Sequence, residues 1–298
     1  MRVTQSMLSN NMLRNLSASY NKMGKLQEQI ASGKKLSRPS DDPGAVMKGM
    51  AYRMQVDKIN QYQRNLGEVN NWLDNTDEAL NQVGQVLHRT NELVTQGASD
   101  SISDGDRENL KVELKQLQNR IKDLANTKVA GKYIFSGTNT GEPLFKDGEL
   151  QEIGTNPNKT PLPGFEEKIE IKVFDGVKIE VNTQGFKMFQ EIDKMFEGLI
   201  EKDNLTQEDY NQAIGAIGEK LDNVVSQRAD IGGRQNRVEM MDARLSALEL
   251  SSTKRMSENE DIEFEKVITE MFAEEAIHRA SLSVGARIIQ PSLVDFLR

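Results

Sequence analysis

Apolar side chains recur along this chain at alternating spacings of three and four, the pattern of helices that pack through a seam. The longest run joins Ile59, Tyr62, Leu66, Val69, Leu73, Thr76, Leu80, Val83, Leu87, Thr90 and Val94 without a break. It predicts a helix over residues 44–97, stopping at Gly97 as a C-cap. A DSISDGD turn follows, in which Ser103 or Asp104 is placed to cap the next helix. That helix carries Leu110, Leu114, Leu117, Ile121, Leu124 and Lys128 on its seam and is expected to fold back antiparallel to the first. A third long helix is expected after Leu205, with Thr206 as N-cap and Gln207, Glu208 and Asp209 in its first turn. Its seam runs through Tyr210, Ile214, Ile217, Leu221, Val224, Ile231, Val238, Met241, Leu245 and Leu248. Gly232 and Gly233 interrupt it. Mid-helix glycines cost about 1 kcal/mol each, so a kink or a close helix contact is expected there.

The pattern changes over residues 131–185, where glycines and most prolines gather. Tyr133–Phe135, Ile169–Phe174 and Val177–Val181 read as short strands, with Asp175-Gly176 as the turn of a hairpin. A short helix over about 186–200 leads back to the bundle. The two ends of the chain form another zone. Leu13, Leu16, Tyr20, Met23 and Ile30 make a seam with Gln27 at one position, and Leu282, Ala286, Ile289, Leu293 and Phe296 repeat the spacing. The first forty residues carry Arg2, Arg14, Lys22, Lys25, Lys34, Lys35 and Arg38 against Glu28 alone. Residues 258–275 carry Glu258, Glu260, Asp261, Glu263, Glu265, Glu270, Glu274 and Glu275 against Lys266 alone. Opposite charges beside apolar seams favour pairing of the two ends, the alternative being two separate helices on one core.

The expected fold is therefore mainly α: a long antiparallel helical bundle or coiled coil formed by both ends of the chain, with a small β-rich inserted domain. Three regions are expected: a terminal coiled-coil inner domain (1–43 and 257–298), a helical-bundle core (44–130 and 200–256) and a β-rich outer domain (131–199).

Composition narrows the function. A mean hydropathy of -0.61 is low for one compact globule and fits long, thin helical bundles with much solvated face, or a chain that completes its core only by assembling. The net charge of -8 argues against a general nucleic-acid binder, which needs a basic face. With no cysteine, thiolate metal sites, disulfides and a cysteine nucleophile are excluded. No apolar run is long enough for a signal peptide or a membrane span, so no membrane insertion is expected and export would use a route that leaves no cleaved leader.

Candidate chemistry is sparse. There are two histidines, and Glu275 with His278 forms one Glu-x-x-His pair, half of a di-iron carboxylate site. The other, His88, has Gln85 where the second half needs Glu. His278 is expected to be an ordinary helix-surface residue and His88 a seam flank. Asp100 to Lys111 lacks calcium ligands at its third and twelfth positions, Ile102 and Lys111. Asp41 and Asp42 lie in a Pro-bounded turn, where helix capping is expected ahead of acid/base work. Catalytic residues, metals and cofactors are accordingly not expected.

Several short segments, in order, resemble the bacterial flagellin family: ASGKKLSRPSDDPGAV (31–46), LHRTNELVTQGA (87–98), IGGRQNR (231–237), ENEDIEFEKVITEM (258–271) and IIQPSLVDFLR (288–298). GKYIFSGT (131–138), Pro143-Leu144-Phe145 and the turn Arg38, Pro39, Ser40, Asp41, Asp42, Pro43 resemble the family's members at the junction of hook and filament more than its filament flagellins. The resemblance implies a structural, extracellular component of the flagellum, self-associating in a helical assembly. It implies type III export with an export chaperone, and axial neighbours that are the preceding hook-associated protein and flagellin. A short filament flagellin and, from another class, an intracellular coiled-coil scaffold are the alternatives. The terminal seam residues named above are the expected assembly interface.

Overall fold

The computed structural model describes residues 5–99, 104–153, 160–161, 164–202 and 206–289 of the 298. Ser103, Leu293 and Phe296 lie outside the described residues, and only the backbone of Ile289 is described. The helices are α1 (Gln5–Ser32), α2 (Pro43–Gly97), α3 (Asp104–Ala125), α4 (Gly185–Ile200), α5 (Gln207–Glu260) and α6 (Phe264–Ile289). Among the described residues, four two-stranded antiparallel ribbons lie between α3 and α4. They pair β1 (Lys128–Val129) with β2 (Lys132–Tyr133), β3 (Phe145–Lys146) with β4 (Glu149–Leu150), β5 (Glu152–Ile153) with β6 (Thr160–Pro161), and β7 (Glu170–Phe174) with β8 (Val177–Glu180). The architecture is mainly helical with a small β-containing insertion, as the periodicity predicts. No helix among the described residues is long and apolar enough to cross a membrane.

The chain divides into two compact units, residues 1–59 with 247–298 and residues 60–246, so the boundary falls inside α2 and α5. In the second unit the α2 seam is buried at every position from Tyr62 to Val94, the two threonines included. Their hydroxyls do not go unpaired: Thr76 donates to the Trp72 carbonyl and Thr90 to the Val86 carbonyl, both at 2.8 Å. α5 runs antiparallel to α2 and buries every seventh residue: Tyr210, Ile217, Val224, Ile231, Val238 and Leu245. Arg228 forks onto both carboxylate oxygens of Asp77, at 2.8 and 3.2 Å, and Gln235 donates to Asp74 at 2.8 Å. At the start of α5, Thr206 and Asp209 exchange hydrogen bonds, a capping box with Asp in the acceptor role.

α3 lies along α2, with Arg89 donating to Glu113 at 2.8 Å, and α4 closes this end of the core. α4 has the apolar stripe of a buried amphipathic helix: Phe186, Phe189, Ile192, Phe196 and Leu199 are all buried. Phe189 meets Phe135 edge-on, with ring centroids 4.9 Å apart. The β7–β8 hairpin turns at Asp175-Gly176, as expected, with a register shift between Lys172 and Phe174. Arg234 of α5 donates to the Glu180 and Asn182 carbonyls at 3.1 and 2.9 Å, which fixes the exit of β8.

α2 ends at Gly97, as expected, and two details elsewhere go beyond or against the sequence reading. Gly97 is helical and serves as a seat for a ring: a Cβ there would stand 2.8 Å from Tyr210 Cε1. Gly232 and Gly233 make no close approach, since a Cβ at either would meet nothing within 4 Å and α5 continues through both. Two further hairpins, at Ala130-Gly131 and Asp147-Gly148, have both turn residues in the left-handed region, as type I′ turns require.

Candidate assembly surface

In the first unit α1 and α6 pair antiparallel. Lys22 reaches Glu274 at 3.1 Å and Lys34 reaches Asp261 at 2.6 Å, so rising numbers on one helix meet falling numbers on the other. The α1 positions turned inward are Met12, Leu16, Ser19, Met23, Leu26 and Ile30, at spacings of four and three. Those on α6 are Val267, Met271, Glu274, His278, Ser281 and Gly285. Gly285 belongs to the seam because a Cβ there would overlap Met12, its sulfur 2.6 Å away.

This seam is not the one expected from apolar residues alone. Leu16, Met23 and Ile30 lie half-buried on it, whereas Leu13, Tyr20, Leu282 and Ala286 are exposed beside it. The register slips because four of the six α6 positions are Glu, His, Ser and Gly, which an apolar search passes over. A spacing search that allowed small and polar residues finds them. His278 is thus a seam residue and not a surface one: its ring lies 6.2 Å from that of Tyr20, and its Nδ1 is buried without a hydrogen-bond partner among the described residues. Glu275 pairs with Arg279 instead of completing a metal site. Among the described residues no group of three or more His, Asp or Glu is placed to hold a metal ion.

The segment joining α1 to α2 clasps the start of α6. Gly33, at φ +68°, ends α1 in the left-handed region that glycine adopts freely. Lys34 then bridges antiparallel to Asp261; the Lys35 amide donates to the Glu260 carbonyl at 2.6 Å, and the Ile262 amide to the Gly33 carbonyl at 3.2 Å. Glu260 is buried, with Arg53 at 2.5 Å and Lys34 at 3.5 Å to balance its charge. In the turn that follows, Asp41 accepts from the Arg38 amide at 3.2 Å and from Lys25 at 2.9 Å. Pro39 and Ser40 make the bend, Asp42 accepts from the Ala45 amide at 2.9 Å as N-cap, and Pro43 opens α2. Partner lysines hold three carboxylates below their ordinary range: Lys25 for Asp41, Lys34 for Asp261 and Lys22 for Glu274. Asp261 in turn raises the Lys34 ammonium.

The pair leaves apolar surface uncovered. At 100° per residue, Phe264, Ile268, Phe272 and Leu282 flank the α6 seam on one side and Ile277 and Val284 on the other, all six exposed. On α1, Leu13 and Tyr20 are exposed in the same way, Tyr20 to 64%. A helix that is apolar on several faces is normally buried on several faces, and α1 covers one of them.

The model of the bacterial flagellin N-terminal helical region matches residues 3–140. The chain is 24% identical to flagellar hook-associated protein 3 of Escherichia coli (strain K12), over 93% of each chain. It is 23% identical to the flagellin of Bacillus subtilis (strain 168), over 97% of each. Among solved structures, a flagellar hook-associated protein from Vibrio parahaemolyticus is similar in fold, with a TM-score of 0.62 at 24% identity over 74% of this chain and 100% of that one.

Proposed function

We propose that this chain, whose residues 3–140 match the bacterial flagellin N-terminal helical region, is the junction component of the flagellin family, which joins hook to filament in the flagellum. The observation that carries this is the α1–α6 pair, whose apolar flanks have no cover among the described residues. A repeating assembly supplies such cover in every subunit, and burying each large apolar side chain stabilises by about 1.5–3 kcal/mol. The terminal residues Leu13, Leu16, Tyr20, Met23, Ile30, Leu282, Ala286, Ile289, Leu293 and Phe296 are proposed as the assembly interface. In the domain scheme that goes with it, 1–43 and 257–298 are the inner domain, 44–130 and 200–256 the core and 131–199 the outer domain. Neighbours are further copies of the chain, the preceding hook-associated protein and flagellin. An export chaperone and export without a cleaved leader complete the proposal. The role is structural and asks for no catalytic step or cofactor.

Similarity over nearly the full length of a hook-associated protein supports the junction, as do the GKYIFSGT and Arg38–Pro43 segments. Filament flagellin is the second reading, favoured by equal coverage of the Bacillus subtilis flagellin. Deleting the gene separates them. A junction component leaves cells with hooks, no filaments and flagellin shed into the medium, and the tagged protein forms a thin band at the hook–filament boundary. Label along the whole filament assigns the chain to flagellin instead. Removing residues 288–298 is expected to spare the second unit and abolish the junction.

A further inference from the structure

The first unit carries a second apolar stripe, on α2, whose middle residue Met50 also borders a small cleft beside Arg38 and Pro39 of the preceding turn. Met47, Met50 and Met54 stand at i, i+3 and i+7, on one helical face, and are exposed to 72%, 59% and 66%. Methionines at helical spacing are usually core. Here the core side of this segment is taken by Gly49, Ile59 and half-buried Val46 and Val56; Met47 and Met54 lie away from it, and Met50 lies at the edge of the cleft that Val46 and Glu260 also line.

We propose that this stripe is the docking site for α6 of a second copy, through its exposed Phe264, Ile268 and Phe272. The inference rests on the self-assembly put forward under Proposed function. The two stripes match in length, since seven residues of helix and eight residues of helix each rise about 10–12 Å. They match in chemistry, because unbranched thioethers adapt to aromatic rings and gain from sulfur–ring contact. Their surroundings differ in sign. With Arg53 engaged by Glu260 of its own chain, residues 47–58 still carry Lys48 and Lys58 against Asp57, and residues 263–270 carry Glu263, Glu265 and Glu270 against Lys266. Complementary potentials of this kind fix register and reject wrong partners. Two different patches on one chain that fit each other make a head-to-tail contact. Such a contact closes into a ring or continues as an open helix, as a fibre segment needs.

The absence of cysteine makes the test clean, because each variant then holds a single thiol. Met50 and Ile268 are the middle residues of their stripes, so they meet whichever way the helices run. Met50→Cys and Ile268→Cys are co-expressed in a strain lacking the native chain, and isolated flagella are oxidised in air. Disulfide-linked dimers are expected from the mixture at about tenfold the yield from either variant alone. Assembled flagella without such dimers, or with equal dimers from one variant alone, overturn the proposal while leaving the junction assignment standing. That assignment fails separately, if the native chain is missing from the hook–filament boundary. As a second arm, Met50→Glu is expected to lower incorporation about tenfold, a change of about 1.4 kcal/mol, with the melting of the free monomer unchanged. Ile268→Lys added to it is expected to restore incorporation. Normal incorporation of Met50→Glu, or a loss that Ile268→Lys does not repair, assigns the stripe to another occupant and overturns the proposal.

Discussion

The two units use apolar residues in opposite ways. In the unit 60–246 the only large apolar residues exposed, among those described, are Val112, Val225 and Met240. Its seam on α2 and its cluster of Phe135, Phe165, Phe186, Phe189 and Phe196 are fully enclosed. In the other unit the buried apolar side chains among the described residues are Leu26, Ile59 and Val267, while fourteen large ones stand exposed from Met7 to Val284. Its central seam carries Ser19, Glu274 and His278. On the proposed reading, the contrast separates a part that completes its own core from a part that neighbours complete. Low mean hydropathy for the whole chain is an average over the two.

Substitutions of equal size in the two units sharpen this contrast most. Phe189→Ala is expected to cost about 3–5 kcal/mol, seen as a large fall in the melting temperature of the monomer. Phe272→Ala and Tyr20→Ala are expected to leave that melting nearly unchanged, within about 0.5 kcal/mol, while reducing incorporation into flagella. Equal destabilisation by all three breaks the distinction. Next in size is Gly137→Ala. Gly137 sits at φ +58°, and a Cβ would lie 2.6 Å from the Phe165 carbonyl carbon, backbone that cannot rotate away. A loss of about 1–3 kcal/mol is expected by denaturant unfolding.

Acid is expected to act on the first unit through its paired carboxylates. Lys22 holds Glu274 below its ordinary value of 4.5, and Lys34 and Lys25 hold Asp261 and Asp41 below 3.8. A depressed folded-state pKa contributes stability that is present above the unfolded value and lost as pH falls through the folded one. The contribution of these three carboxylates should therefore be lost, and the α1–α6 pair loosen, as pH falls below about 4.5. Protease cleavage within residues 5–32, followed against pH, checks this; loosening that begins on the alkaline side contradicts it. Raised salt should weaken the same exposed pairs modestly. The smallest expected effect is a gain. Gly232→Ala and Gly233→Ala find open space and should each stabilise α5 by about 0.4–1 kcal/mol, measured by thermal melting.

The helices of the second unit were legible because most buried positions there are filled by large apolar residues or by Thr76 and Thr90; the buried Gln118 of α3, which donates to the buried Asp193 of α4 at 2.8 Å, left no such mark. The hairpin at Asp175-Gly176 was legible from its two apolar arms. The hairpins at Ala130-Gly131 and Asp147-Gly148 were not, because strands of two residues have no alternation to read. Pairing of the chain ends followed from their charge, but the register did not. Lys22 meets Glu274, while Arg14 pairs with its neighbour Asn11, since seam positions held by Ser19, Glu274, His278 and Gly285 leave no apolar mark. Of the turn 38–43, the capping by Asp42 is local chemistry and readable. The burial of Glu260 between Lys34 and Arg53 joins residues far apart in sequence, and only the fold brings them together.

Amide hydrogen exchange, run on the soluble chain and on isolated hook–filament junctions, tests most directly whether neighbours complete the first unit. In the soluble chain, amides of α1 and α6 are expected to exchange much faster than those of residues 62–94. In the junction α1 and α6 should become protected to the level of that core, with residues 62–94 unchanged. Full protection of α1 and α6 in the soluble chain, or no gain on assembly, would contradict a unit whose apolar faces are covered by its neighbours.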